Sequence, residues 1–164
     1  FRYDLVWEEG AAVGHANANR MPMRSHELVL VFYQRLPKYH PQGLVPLEKP
    51  VVHRASGKKA GSVYGGMKNA SVQQFTNYPR SVLHFASRGK RLHPTQKPVE
   101  LLEYLVRTYT DPGDLVLDNC MGSGSTAVAA LQAGRRFVGF ETNPEYFAAA
   151  CQRVDERAAE LRAG

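Results

Sequence analysis

Apolar and polar positions change rhythm twice along the 164-residue chain. Residues 3 to 8, YDLVWE, and 27 to 34, ELVLVFYQ, are short runs rich in β-branched and aromatic side chains, and they predict two paired strands. Between them, EGAAVGHANANRMPMRSH keeps no steady period and is rich in Gly, Ala and Asn, which predicts a long loop of a kind that often carries function. From Leu36 to Leu92, Pro, Gly, Lys, Ser and Asn dominate, and only brief apolar runs such as SVLHF interrupt them. A mostly irregular insertion is expected there.

After Pro98 the rhythm is helical. In PVELLEYLVRTYT, Leu101, Leu102, Leu105, Val106 and Tyr109 share one face, Pro98 suits the first helical position, and the helix should end near Thr110. DPGD makes a turn, and LVL reads as a buried parallel strand. A glycine turn follows, then a helix through STAVAALQA closed by Gly134. RFVGFE is the next strand. Asn143 as N-cap with Pro144 behind it starts a last helix to about Leu161. This order predicts a right-handed parallel βαβ unit within a doubly wound α/β sheet.

Charge adds a partner. The formal net charge is +6, yet Lys49 to Val99 contains ten Lys and Arg residues and no acid, so the remainder is net −4. A stretch of this kind, with aromatic and small polar residues among the charges, is the footprint of a polyanion site; a solvated basic loop is the bland alternative. No run approaches the ~18 apolar residues of a membrane span, and FRYDLVWEEG is not a signal segment, which predicts a soluble, cytoplasmic protein with no membrane partner. Cys120 and Cys151 lack CxxC spacing, so they predict packed thiols and neither a disulfide framework nor a metal site.

The chemistry concentrates in DNCMGSGST, residues 118 to 126. A P-loop needs a Lys before its Ser or Thr, and none is present. The dinucleotide pattern G-x-G-x-x-G/A fits Gly122, Gly124 and Ala127, with Glu141 ending the next strand where a ribose-binding acid belongs. A third ligand, S-adenosylmethionine, has ribose and adenine but no phosphate. Asp118, just before the glycines, would repel a pyrophosphate but suits the positively charged amino-acid end of that ligand. Asp118 could instead cap the loop amides, and Glu141 could be a solvated strand-end acid. HPTQKP, residues 93 to 98, breaks the tie: it stands before a helix, so its amides, the Thr95 hydroxyl and Lys97 can face a methionyl carboxylate.

From Leu92 to Val154 the chain closely resembles the C-terminal half of amino-group DNA methyltransferases, which act on adenine N6 or cytosine N4. HPTQKP ahead of the glycine motif looks like the β-group motif order, common among phage and restriction-modification enzymes. YDLVWEE, RSHELVLVFY, YHPQ and NYPRSVLHF extend the likeness over nearly the whole chain, while DNC stands where many members have Asp-Pro-Phe. The resemblance implies a Rossmann-like methyltransferase fold divided into a hairpin region (1–35), a target-recognition region (36–92) and a cofactor-binding βαβ region (93–164). It implies S-adenosylmethionine as cofactor, held by Thr95, Lys97, Asp118, Gly122, Gly124, Glu141 and Asn143. Double-stranded DNA would meet Arg54, Lys58, Lys59, Lys68, Arg80, Arg88, Lys90 and Arg91.

Family members hold the target amine with a D/N/S-P-P-Y/F/W tetrapeptide. The ten prolines here include no Pro-Pro pair, so no catalytic residue is assigned, and NPEY at 143 to 146 is a superficial likeness. By resemblance that motif and three central strands precede YDLVWEE. An N-terminally truncated enzyme is therefore expected, with unpaired strand edges and marginal stability alone, and with the missing segment or a restriction endonuclease as further partners. The function implied is methyl transfer to adenine N6, with cytosine N4 or a non-catalytic remnant as alternatives. A nicotinamide-dependent oxidoreductase is the reading from another class. Cysteine-based C5 methylation is disfavoured, because neither cysteine follows a proline.

Overall fold

The computed structural model describes residues 1–55, 69–86 and 92–163. It forms two compact units, one of Phe1–His40 with Arg80–Gly164 and one of Pro41–Pro79.

In the first unit, β1 (Tyr3–Val13) lies between β2 (Arg24–Val31) and β5 (Val82–His84). β1 pairs antiparallel with β2 in a register that sets Trp7 against Glu27, and parallel with β5, setting Trp7 against Leu83. The strands run further into the expected loop than the apolar pattern reached, and the ladder slips between Glu8 and Val13 where Gly and Ala offer little to pack. Trp7, Leu83 and Leu101 form a buried cluster, and Trp7 Nε1 donates to the Phe85 carbonyl at 2.9 Å. An aromatic ring this deeply buried contributes about 2–3 kcal/mol. Leu101 lies on helix α1 (Val99–Tyr109), so the cluster fastens that helix to the hairpin sheet.

β6 (Leu115–Asp118), α2 (Ser125–Gln132) and β7 (Arg136–Gly139) form the parallel unit, with Val116 opposite Phe137 and Asp118 opposite Gly139. Ala127, Ala129 and Ala130 are at most 1% exposed. Small side chains let α2 pack at once on α1, on both strands and on α3 (Pro144–Ala163). Gly134, at φ +73, ends α2 beyond Ala133. Pro98 stands one place before α1, as its N-cap residue. Among the described residues β6 has one hydrogen-bonded neighbour, and Leu115, Leu117, Val138 and Phe140 remain exposed.

The expected irregular insertion is corrected in part. The second unit is an antiparallel pair, β3 (Val45–His53) with β4 (Ser71–Thr76), whose ladder breaks between Pro46 and Val51 because Pro46 and Pro50 have no N–H to give. Asn77, at φ 58, closes it by donating Nδ2–H to the Gly43 carbonyl at 2.7 Å. The two cysteines are also corrected. Both thiols are exposed and free: Cys120 lies in the turn after β6, and Cys151 is one residue, hence ~100° around the helix, from buried Ala150.

Candidate functional site

The C-terminal end of β6 opens into the glycine turn, and the segment from His93 to Lys97 stands against it. Together they line a cavity of about 270 Å³, whose walls include Thr95, Lys97, Asp118, Gly122 and Thr126. Gly122, at φ +52, would place a Cβ 3.4 Å from the His93 ring, and Gly124, at φ +77, would place one 3.0 Å from the Ala150 Cβ. The first glycine lets the histidine lie over the turn. The second lets α3 close beneath it.

Polar contacts stitch the turn together. Asp118 Oδ1 accepts the Cys120 amide at 3.0 Å, and Oδ2 accepts the Thr126 hydroxyl at 2.6 Å. Glu141 accepts the Gly122 amide at 3.0 Å and the Asn143 amide at 2.8 Å. The Asn143 amide leads the influences on Glu141; with the Gly122 and Thr142 amides and nearby His93 it outweighs desolvation and holds the carboxyl below its ordinary value. Asn143 Oδ1 caps α3 by accepting the Glu145 and Tyr146 amides at 2.9 and 3.2 Å. Arg153, half-buried, donates to the Ser123 carbonyl and the Ser125 hydroxyl, and burial pushes its pKa down.

The expected cofactor residues occupy three distinct places. Thr95, Lys97, Asp118 and Gly122 line the cavity; Gly124 supports the turn from behind; Glu141 and Asn143 bind its amide and the start of α3. Lys97 does not present a bare ammonium there, since Nζ donates to Glu27 at 2.8 Å. Gln96 and Ser123 escaped the sequence reading: Gln96 Oε1 accepts the Leu92 amide at 2.9 Å and the Ser123 hydroxyl at 3.0 Å. A Gln inside the hexapeptide that broke the ligand tie was the available signal. His93 is held as well, its ring edge-on to Tyr146 at 4.4 Å between centroids and its Nδ1 close to both the Thr95 amide and hydroxyl.

Of the expected DNA contacts, Arg54 and Arg80 are exposed, and Lys58, Lys59, Lys68, Arg88, Lys90 and Arg91 lie outside the described residues. No group of three or more His, Cys, Asp or Glu is placed to hold a metal ion among the described residues, and none of their helices is long and apolar enough to cross a membrane.

A DNA methylase family model matches residues 1–152. YubD of Escherichia coli (strain K12) is 49% identical over 73 residues, covering 44% of this chain and 32% of YubD. YhdJ of the same organism, a DNA adenine methyltransferase, is 44% identical over 63 residues, covering 38% of this chain and 21% of YhdJ. The crystal structure of the M1.HpyAVI-SAM complex superposes with a TM-score of 0.61 at 25% identity, over 94% of this chain and 62% of that one. The chain thus spans less than two thirds of each of these three proteins.

Proposed function

The chain belongs to the N6/N4 DNA methylase family and has part of its Rossmann-like α/β methyltransferase fold, and from that premise we propose that the glycine turn binds S-adenosylmethionine for methyl transfer to an exocyclic amine of DNA. The observation that carries this reading is the cavity in which the His93–Lys97 segment, Asp118 and the buried glycine turn converge.

The residues fit the ligand. A carboxylate has about four acceptor sites, so Glu141, which already receives the Gly122, Thr142 and Asn143 amides, keeps room to accept a ribose hydroxyl without undoing the turn. Asp118 likewise keeps spare capacity for an ammonium group. The Thr95 hydroxyl and Lys97 supply donors for a carboxylate. Pyrophosphate is disfavoured by two carboxylates at the turn, which weighs against the nicotinamide alternative. When bound, the cofactor supplies an activated methyl group; what this chain contributes is to bind and orient it.

Adenine N6 is the proposed target amine, supported by the identity with YhdJ; cytosine N4 is the alternative. The 164 residues contain no Pro-Pro tetrapeptide. The reading therefore assigns them cofactor binding and DNA contact, and assigns no residue to holding the amine. Contact with double-stranded DNA is proposed for the basic stretch that includes Arg54 and Arg80. Calorimetric titration with S-adenosylhomocysteine tests the cofactor reading: micromolar-range binding is expected, lost on Asp118→Ala and on Glu141→Ala. No binding by folded protein would overturn it. DNA affinity that falls steeply with salt tests the second part, and a flat salt response would refute it.

A further inference from the structure

Lys97 is held from two sides. Its Nζ lies 2.8 Å from Glu27 Oε1 and 2.8 Å from Oε2, and 5.7 Å from the centroid of the Trp7 ring. Trp7 is 2% exposed and tied through Nε1 to the Phe85 carbonyl, so the ring under the lysine is fixed. Glu27 stands directly opposite Trp7 across the β1–β2 ladder. It lines a second cavity, of about 450 Å³, with Glu9, Val13, Arg24, His26 and Leu28, whereas Lys97 lines the cofactor cavity. The ion pair joins the two walls. Burial pushes the Glu27 carboxyl up, but hydrogen bonding with Lys97 and Glu9 and the charges of Lys97 and Arg24 outweigh it and leave the carboxyl below its ordinary value. It is therefore an anion at neutral pH.

On the cofactor assignment already proposed, we infer that Glu27 is a positioning residue for cofactor binding, acting through Lys97 on the amino-acid end of the ligand. A free lysine samples many rotamers, and ordering it at the moment of binding weakens affinity. With Glu27 and Trp7 fixing the side chain beforehand, that ordering is already complete. Adenine and ribose do not use Lys97, so Glu27 matters only to ligands that carry the amino-acid carboxylate.

The test is calorimetric titration of wild type, Glu27→Ala, Lys97→Met and the double variant with two ligands. One is S-adenosylhomocysteine; the other is 5′-methylthioadenosine, which keeps adenine, ribose and sulfur but has no amino-acid end. Glu27→Ala is expected to weaken S-adenosylhomocysteine about fivefold, to leave methylthioadenosine unchanged, and to have no further effect once Lys97 is Met. Unchanged methylthioadenosine binding also reports that the variant is folded. Equal weakening of both ligands, or additive losses in the double variant, would overturn the inference. Wild type that binds neither ligand would overturn the cofactor reading and this inference with it.

Discussion

Glu141 receives the Gly122 amide at 3.0 Å, from a turn that lies nineteen residues earlier in the chain. The acid expected to hold a ribose is therefore also the strut that fixes the loop around the ligand. Glu141→Gln keeps the shape but turns one acceptor into a donor that faces an amide N–H. S-adenosylhomocysteine affinity is expected to fall about tenfold or more, since a hydrogen bond to an ionised acceptor is lost along with ribose contact. Titration calorimetry of the variant checks it; affinity within twofold of wild type would contradict both roles.

Gly124 separates backbone strain from packing. An alanine there meets the Ala150 Cβ at 3.0 Å and its Cα at 3.3 Å, besides adopting φ +77. Gly134 has a similar φ of +73 with nothing within 4 Å of its would-be Cβ. Gly134→Ala should cost about 1 kcal/mol from the left-handed conformation alone. Gly124→Ala should cost about 2–4 kcal/mol, because α3 must move away from the turn. Chemical denaturation of the two variants measures the difference, and equal losses would mean that α3 does not seat on the glycine.

What could be read from the sequence was what neighbours in sequence decide. Leu101 and Val106 mark the buried face of α1 by their own spacing, and Asn143 with Pro144 announces α3 within two residues. That Asp118, Gly122 and Glu141 stand at one turn followed from the order of short motifs for the same reason. β3 and β4 escaped because Pro46 and Pro50 break the alternation that marks a strand, and because the Asn77 to Gly43 bond closing them spans 34 residues. The Lys97 to Glu27 pair spans 70 residues, and no local pattern distinguishes a lysine paired at that distance from one free to meet a ligand. The thiols failed differently: on a helix, one residue separates buried Ala150 from exposed Cys151.

Arg135 is 7% exposed and serves the ends of two helices. Its guanidinium donates to the Thr110 hydroxyl at 2.9 Å, to the Thr110 carbonyl at 2.6 Å and to the Ala133 carbonyl. These carbonyls belong to helix C-terminal ends, which have no partners within their own helices and favour a cation. Arg135→Met fills much of the volume and satisfies none of them, so it is expected to destabilise the protein by about 2–3 kcal/mol. Arg135→Lys should recover less than half of the loss, since one ammonium cannot span the same acceptors. Thermal unfolding of the three proteins decides it, and a lysine variant as stable as wild type would show that charge alone suffices.

The segment after β2 is held to the turn before β6 by charge, and pH should release it. Lys38 Nζ lies 2.6 Å from Asp111 and 2.7 Å from Asp114, while His40 Nε2 lies 2.8 Å from Asp111. Hydrogen bonding with Lys38 is the leading influence on both carboxyls and holds each below its ordinary value of 3.8. A carboxyl whose folded pKa is depressed contributes stability that is fully present above the unfolded value. That contribution is lost as pH falls through the folded one. Lys38→Met should therefore lower Tm at pH 7, and the gap from wild type should close as pH drops from about 4 toward 2. Because all three side chains face solvent, the gap at pH 7 should also shrink between 50 mM and 1 M salt. A gap that persists at pH 2 would place the contribution of Lys38 in the packing of its stem and not in its charge.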